Sequence, residues 1–135
     1  MARIRDRVIE YHLAKNLPIG THPKIPEENR VRLRARLIVE RFIEVMGALF
    51  PNVYDLQPIE KDLLRISRSE PLKPDLAAFA DACADLDYAV EGTRVEFGVD
   101  GGPVAEAVHE ANMSGEQADV EGLLLEQGWQ GPIVY

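Results

Sequence analysis

Carboxylate side chains occur in pairs at two places in the sequence, and the two residues of each pair are four positions apart. Glu40 and Glu44 form the first pair, and Asp81 and Asp85 form the second. In a helix, residues with this spacing lie on one face, about 40 degrees from alignment. Mg²⁺ prefers oxygen ligands and is commonly held by one or two carboxylates together with substrate phosphates. The spacing therefore allows a metal site, and a solvated acidic helix face is the alternative.

The residues that continue each acidic stripe along its helix are apolar. Leu33 and Leu37 precede Glu40 on its face, and Val95 follows Asp85 on the other stripe. Carboxylates that face one another in a poorly hydrated interior repel, so they either take up protons or bind cations. Paired helices with inward-facing carboxylates are a known way to build a metal site. We therefore expect the two pairs to converge in one hollow that holds divalent cations.

Two long helices are predicted to position the two pairs. The first covers 27–50 and ends at Pro51, and its core-facing side chains fall in a narrow arc of the helical wheel: Val31, Ile38, Phe42, Val45, Met46 and Leu49. The second covers 74–97 and ends before Gly98, and its seam alternates spacings of three and four: Leu76, Phe79, Cys83, Leu86, Val90, Thr93 and Phe97. This alternation is typical of a helix that packs lengthwise on another helix.

The remaining segments of the chain are shorter. Helices are predicted over 3–15 and from Pro103 onward, and 51–73 contains a short helical piece at IEKDLLRI. The tail, 115–135, is expected to be irregular, with its last residues either forming a hairpin or lying over the helices. The chain is therefore predicted to be a single all-α domain over 1–135, a bundle of four to five helices with two long central ones.

The composition narrows the classes of partner. The chain has 46% hydrophobic and 28% charged residues and no apolar run of the roughly 20 residues that a membrane span needs. Its net charge of -8 argues against a nucleic-acid polymer as partner. Four arginines lie between 30 and 36, and this cluster predicts either a local anion site or a solvated helix face. The charged N-terminal stretch has no secretory signal, so we expect a cytoplasmic location.

Two long stretches of the sequence also resemble a known family. RVRLRARLIVERFIEVMGAL and FADACADLDYAVEGTRVEFGVDGGPVAEAVHEANMSG are similar to the all-α nucleoside triphosphate pyrophosphohydrolases of the MazG and phosphoribosyl-ATP pyrophosphohydrolase superfamily, in particular its small phage and bacterial members. The most specific piece is HEANMSG, which is close to the family's His-x-x-Asn-Met-Ser-Lys. The resemblance implies hydrolysis of a nucleoside triphosphate to the monophosphate and pyrophosphate with Mg²⁺, for which Mn²⁺ is an alternative.

The family's acidic motifs can be carried over residue by residue. By resemblance, Glu40 and Glu44 match the first and last glutamates of Glu-Glu-x-x-Glu, and Asp85 matches the aspartate of Glu-x-x-Asp. Asn112 matches an asparagine that contacts the nucleotide or its phosphates, and Tyr88 occupies the place of a common aromatic. The resemblance thus implies catalytic roles for Glu40, Glu44 and Asp85.

Three positions depart from the family's pattern. Arg41 replaces the second glutamate, Ala82 replaces the glutamate of Glu-x-x-Asp, and Gly115 replaces the lysine after Asn-Met-Ser. In one interpretation Asp81 supplies a lost ligand, which gives a metal set of Glu40, Glu44, Asp81 and Asp85. In the other, Arg41 fills the vacated metal position, pairs with a carboxylate or grips phosphate directly, and the site binds nucleotide with little hydrolysis.

Two functions from different classes follow from these readings. The first is a metal-dependent pyrophosphohydrolase that acts on a nucleoside triphosphate, with a deoxynucleotide favoured, and in which Arg41, Tyr88 and Asn112 bind substrate. The second is a catalytically degenerate module that binds nucleotides or mediates helical interactions. Because the two long helices have more apolar surface than a lone helical hairpin hides, a homodimer or homotetramer is expected.

Overall fold

The helices that carry the two acidic pairs are the two longest elements of the structure. The computed structural model describes residues 3–53 and 55–132, and helices account for all regular structure in these ranges. They are α1 (Ile4–Ala14), α2 (Glu28–Leu49), α3 (Leu56–Ile66), α4 (Leu76–Phe97), α5 (Gly101–Ser114) and α6 (Val120–Glu126). The predicted all-α class is confirmed for the described residues, and α2 and α4 lie within the predicted bounds.

Aspartates explain where several of these helices begin. At three helix starts an aspartate side chain accepts a hydrogen bond from a backbone N–H, from Ala78 to Asp75 (3.0 Å), from Gly102 to Asp100 (3.1 Å) and from Gly122 to Asp119 (2.9 Å). Such caps satisfy N–H groups that have no partner within the helix. Because Asp100 caps α5, this helix begins at Gly101 rather than at Pro103. The tail, predicted to be irregular, contains α6 for the same reason.

The chain is organised in two compact units. One unit spans His22–Phe79, and in it α2 packs against α3. The other unit combines the N-terminal segment up to Thr21 with the segment from Ala80 onward, and in it α5 packs against both α1 and α6. Glu40 and Glu44 belong to the first unit, whereas Asp81 and Asp85 belong to the second. The single domain over 1–135 stays a prediction.

Arg32 holds the first unit together. Its Nη1 donates to the backbone carbonyls of Ser67 and Ser69, at 2.9 Å in both cases. Its Nε and Nη2 donate to Glu28 Oε1, and Nη2 also donates to Glu70 Oε1 at 2.9 Å. These bonds use all five donors of the guanidinium, so Arg32 has none left for an external anion. One arginine of the 30–36 run is therefore a structural clamp between α2 and the segment after α3.

Gln127 holds α6 to the start of α5 in the second unit. The backbone N–H of Asp100 donates to Gln127 Oε1 at 2.8 Å, and Gln127 Nε2 donates back to the carbonyl of Asp100 at 3.0 Å. A hairpin was one of two predictions for the end of the tail, 128–135. The described part of this segment, 128–132, contains no strand, and 133–135 lie outside the described residues.

The apolar seams of the two long helices are largely exposed. Phe42 on α2 is 45% exposed and Leu86 on α4 is 50% exposed, and Ile38, Val45, Phe79 and Phe97 are exposed as well. Among the described residues, Ile43 is the one apolar side chain that is buried. None of the helices in these ranges combines the length and apolar character needed to cross a membrane. Most of the residues in the two predicted seams are therefore exposed in the described chain.

We expect Arg32→Met to destabilise the protein by about 1–3 kcal/mol, because two backbone carbonyls lose a charged donor. Arg34→Met, an exposed position on the same helix, is the control and should change the free energy of unfolding by less than about 0.5 kcal/mol. Urea denaturation followed by circular dichroism measures both. Equal losses in the two variants would contradict the clamp.

Candidate functional site

Glu40 and Glu44 both lie beside Arg41. Arg41 Nη2 lies 3.6 Å from Glu40 Oε2, and Arg41 Nη1 lies 3.3 Å from Glu44 Oε1. Arg36 Nε also lies 3.7 Å from Glu40 Oε1. The residue that replaces the family's second glutamate thus contacts both glutamates that remain and offsets part of their charge. This arrangement agrees with the interpretation in which Arg41 pairs with Glu44.

The ion pairs of Arg41 are weak enough to be exchanged. The Arg41 side chain is 65% exposed, and exposed ion pairs contribute only about 0–1 kcal/mol because water and salt screen them. Glu44 is exposed, and Glu40 is half-buried. Arg41 therefore offsets part of the charge of the pair and can be displaced from it by a divalent cation.

The carboxylates of α4 lie on an exposed face. Asp81 and Asp85 are both exposed, and Tyr88, one turn further along, is 85% exposed. Ala82 is exposed beside them, at the position of the family's glutamate. Because both side chains are exposed, water screens the repulsion between them.

The predicted ligands are divided between the two units. Glu40, Arg41 and Glu44 lie in the unit that contains α2, whereas the α4 carboxylates and Asn112 lie in the other. Within neither unit do three or more His, Cys, Asp or Glu side chains of residues 3–53 and 55–132 come together as a metal cluster. Each unit therefore supplies one carboxylate pair, and the convergence of the two pairs stays a prediction.

Asn112 lies at a cavity in the second unit. This cavity, between α1 and α5, has a volume of about 340 Å³, and Arg7, Tyr11 and His109 line it together with Asn112. His109 is buried, at 8% exposure. No sequence pattern predicted a site role for Arg7 or Tyr11. The helical spacing of Ile4, Val8 and Tyr11 is the signal that marks this face of α1.

Arg7 fixes the geometry on one side of this cavity. Its Nε donates to Glu106 Oε2 at 3.0 Å, and its Nη2 pairs with Glu106 Oε1, so the contact is bidentate. Arg7 Nη1 also donates to Glu10 Oε2 at 3.4 Å. The hydrogen bond to Glu106, more than the charges of Glu106 and Glu10, raises the pKa of Arg7 above its ordinary value. Arg7 therefore joins α1 to α5 as a permanently charged clamp.

The backbone conformation at position 115 explains why glycine replaces the family's lysine there. Gly115 ends α5 with φ of 82°, in the left-handed region, and its N–H donates to the carbonyl of Ala111 at 2.8 Å. Glycine takes this conformation without the steric cost that a side chain would add. The residue that replaces the family's lysine thus suits the helix end but contributes no charge.

Comparison with known families decides the affiliation. A family model described as phosphoribosyl-ATP pyrophosphohydrolase matches residues 8–112. The chain belongs to this family. Comparisons with curated proteins and with solved structures gave no match. The predicted affiliation is therefore confirmed, and the matched segment includes both acidic pairs, Arg41, Tyr88 and Asn112. The family implies a pyrophosphohydrolase-type activity on nucleotides.

We expect Arg41→Gln to tighten Mn²⁺ binding about two- to fivefold, the range that loss of an exposed competing charge provides. Isothermal titration calorimetry with Mn²⁺ measures the change. Arg34→Gln, which removes an equal charge from an exposed position of α2, is the matched control and should leave the affinity nearly unchanged. If the two variants bind Mn²⁺ equally well, Arg41 does not compete for the α2 carboxylates.

Proposed function

We propose that this protein is a Mg²⁺-dependent nucleoside triphosphate pyrophosphohydrolase, which converts a nucleoside triphosphate and water to the monophosphate and pyrophosphate. The observation that carries this proposal is the family match over 8–112, since it spans both carboxylate pairs and reaches Asn112. A deoxynucleoside triphosphate is the favoured substrate, and Mn²⁺ is an alternative to Mg²⁺.

The donor chemistry of the two pairs fits a hard divalent cation. Glu40, Glu44, Asp81 and Asp85 offer carboxylate oxygens, and Mg²⁺ is held by one or two such groups when substrate phosphates complete its shell. The weak pairs of Arg41 leave the α2 carboxylates open to such an ion. The chemistry that Mg²⁺ supplies when bound is neutralisation of the triphosphate charge and activation of a water molecule.

The side chains of the chain have distinct proposed tasks. Glu44 and Asp85 hold the ion. Glu40, the less exposed glutamate of α2, orients the attacking water and accepts its proton. Arg41 exchanges its carboxylate partners for phosphate oxygens when substrate binds, because a guanidinium pairs with phosphate through two parallel hydrogen bonds. Asn112 donates its amide hydrogens to the nucleotide, and Tyr88 offers an exposed aromatic surface to it.

A second candidate function is a nucleotide-binding module without catalysis. The contact of Arg41 with both Glu40 and Glu44 favours it, because an internal cation already occupies the place of a metal ligand. Ala82 and Gly115 favour it as well, since each lacks a group that the family's motif contains. In this alternative the same surface binds a triphosphate and releases it unchanged.

We also propose that the protein is a homodimer or homotetramer. The exposed seams of α2 and α4 are the support for this proposal, since contiguous apolar surface on a soluble chain marks an association site. A symmetric pair would bury the same seam residues of both copies at once.

Catalysis is tested by pyrophosphate release from a panel of ribo- and deoxynucleoside triphosphates, with Mg²⁺ and with Mn²⁺. We expect turnover by the native protein and a loss of about 10²-fold or more in kcat for Glu44→Gln and Asp85→Asn, because each removes a charged ligand. Glu126→Gln, at the end of α6, is the control and should retain the native rate. Calorimetric binding without release of pyrophosphate from any substrate would establish the binding module instead.

Self-association is tested by sedimentation velocity at micromolar concentration. We expect a species larger than the monomer for the native chain and a shift towards monomer for Phe42→Asp, because a charge on the seam is costly to bury. Ile59→Asp, an exposed apolar position on α3 outside both seams, is the matched control and should not shift the distribution. A monomeric native chain would contradict this proposal.

A further inference from the structure

Helix α4 has an apolar seam but no helix packed extensively along it in the described residues. The helix pairs that pack extensively in these ranges are α2 with α3, α1 with α5 and α5 with α6, and α4 belongs to none of them. On the seam of α4, Leu86, Val90 and Phe97 are all exposed. A continuous apolar stripe on a helix of 22 residues is typical of a helix that packs on a partner. The seam of α4 is therefore available to a partner.

An open groove, here called the α4 groove, follows this part of the helix. It has a volume of about 560 Å³ and is lined by Leu86 and Val90 of α4 and by Ala105 of α5. Two charged residues of α4, Asp87 and Arg94, line it as well. The groove thus combines apolar side chains of the seam with one acidic and one basic residue, and it has room for the seam side chains of a second helix.

Asp87 and Arg94 occupy equivalent positions beside the seam. Cys83, Leu86 and Val90 take positions a, d and a of a heptad. Asp87 and Arg94 then both fall at position e, one heptad apart. Residues at positions e and g border the contact between paired helices and form ion pairs across it, which set the partner and the orientation. One flank of the α4 seam therefore presents a negative charge and a positive charge.

Both charges can bind a group on another chain. Asp87 is exposed and has no ion pair within residues 3–53 and 55–132. Arg94 Nη1 lies 2.9 Å from Glu91 Oε2, on the same helix, and both of these side chains are exposed. Water screens an exposed ion pair of this kind, so it contributes little free energy. Arg94 can therefore exchange Glu91 for a carboxylate of a partner.

The positions of the two charges favour an antiparallel pair of α4 helices. In two antiparallel helices related by a two-fold axis, the same flank of both helices meets, so position e of one copy faces position e of the other. With the axis near residue 91, Asp87 of each copy lies opposite Arg94 of the other copy, and the helices overlap over roughly two heptads. In a parallel pair, position e faces position g, which is Ala82 or Ala89 here. Reciprocal ion pairs therefore form in the antiparallel arrangement and not in the parallel one.

We propose that the seam of α4 binds α4 of a second copy of this chain in an antiparallel pair, with ion pairs between Asp87 of each copy and Arg94 of the other. The inference rests on the proposed self-association and names the surface and the orientation of one contact within it. It assigns no partner to the α2 seam.

Charge reversal in the full chain tests this contact. Asp87→Arg places like charges opposite each other twice in the pair, and so does Arg94→Asp, so each variant alone should weaken self-association about tenfold or more. An equimolar mixture of the two variants should restore the dissociation constant to within about threefold of the native value, because every reversed residue then faces an unlike charge. Sedimentation velocity over a concentration series measures all three samples. A mixture that stays dissociated overturns the proposal.

Further variants serve as controls. Glu110→Arg makes the same change of charge at an exposed position of α5 that does not line the α4 groove, and it should leave the dissociation constant nearly unchanged. The double variant Asp87→Arg/Arg94→Asp should associate like the native chain. If a single reversal fails to fold by circular dichroism, Asp87→Asn and Arg94→Gln replace it, and each should weaken association about threefold. Native affinity in folded Asp87→Asn and Arg94→Gln overturns the proposal.

The outcomes separate this inference from the proposed function. If the native chain associates and the mixed variants do not, the copies meet through another surface and the α4 contact is overturned. A monomeric native chain overturns both the proposed self-association and this contact, whereas pyrophosphate release tests the enzyme independently. If the mixture associates and no triphosphate releases pyrophosphate, the α4 contact stands and the enzyme does not.

Discussion

The charge balance on α2 is the constraint on which the candidate site depends. Two glutamates one turn apart repel each other, and Arg41, located between them in sequence, contacts both. An internal guanidinium and an external divalent cation are alternative solutions to the same electrostatic problem, and the exposure of Arg41 keeps both open. The two proposed functions therefore differ in which cation binds Glu40 and Glu44, a divalent metal ion in the enzyme and Arg41 in the nucleotide binder.

Arginine also determines the local architecture of each unit. Arg32 uses every donor of its guanidinium to join α2 to the segment after α3, and Arg7 joins α1 to α5 through a bidentate contact with Glu106. A planar guanidinium with a fixed fork of donors suits such clamps better than an ammonium group does. In a chain with a net charge of -8, carboxylate partners for these arginines are abundant.

The exposed apolar side chains of α2 and α4 relate the stability of the chain to its proposed self-association. Ile43 is the buried apolar residue of the described chain, while the seams of α2 and α4 are exposed. A chain of this size relies on buried apolar area to offset conformational entropy, so contacts with a second copy would stabilise it by mass action.

The sequence by itself determined the helices whose signals are local. The periodicity of apolar residues along α2 and α4, and the proline and glycine that bound them, predicted both helices and the shared face of each carboxylate pair. The family's motifs assigned roles to Glu40, Glu44, Asp85 and Asn112, and the family match supports the affiliation.

Tertiary structure alone decided what depends on residues distant in sequence. The attachment of the segment after α3 to α2 had no local signal, because Ser67 and Ser69 are more than thirty positions away from Arg32 in the sequence. The tail was expected to be irregular because Gln127 meets Asp100 only in the folded chain. Helical periodicity is set by the backbone within one element, whereas clamps and cavities arise only when separate elements pack together.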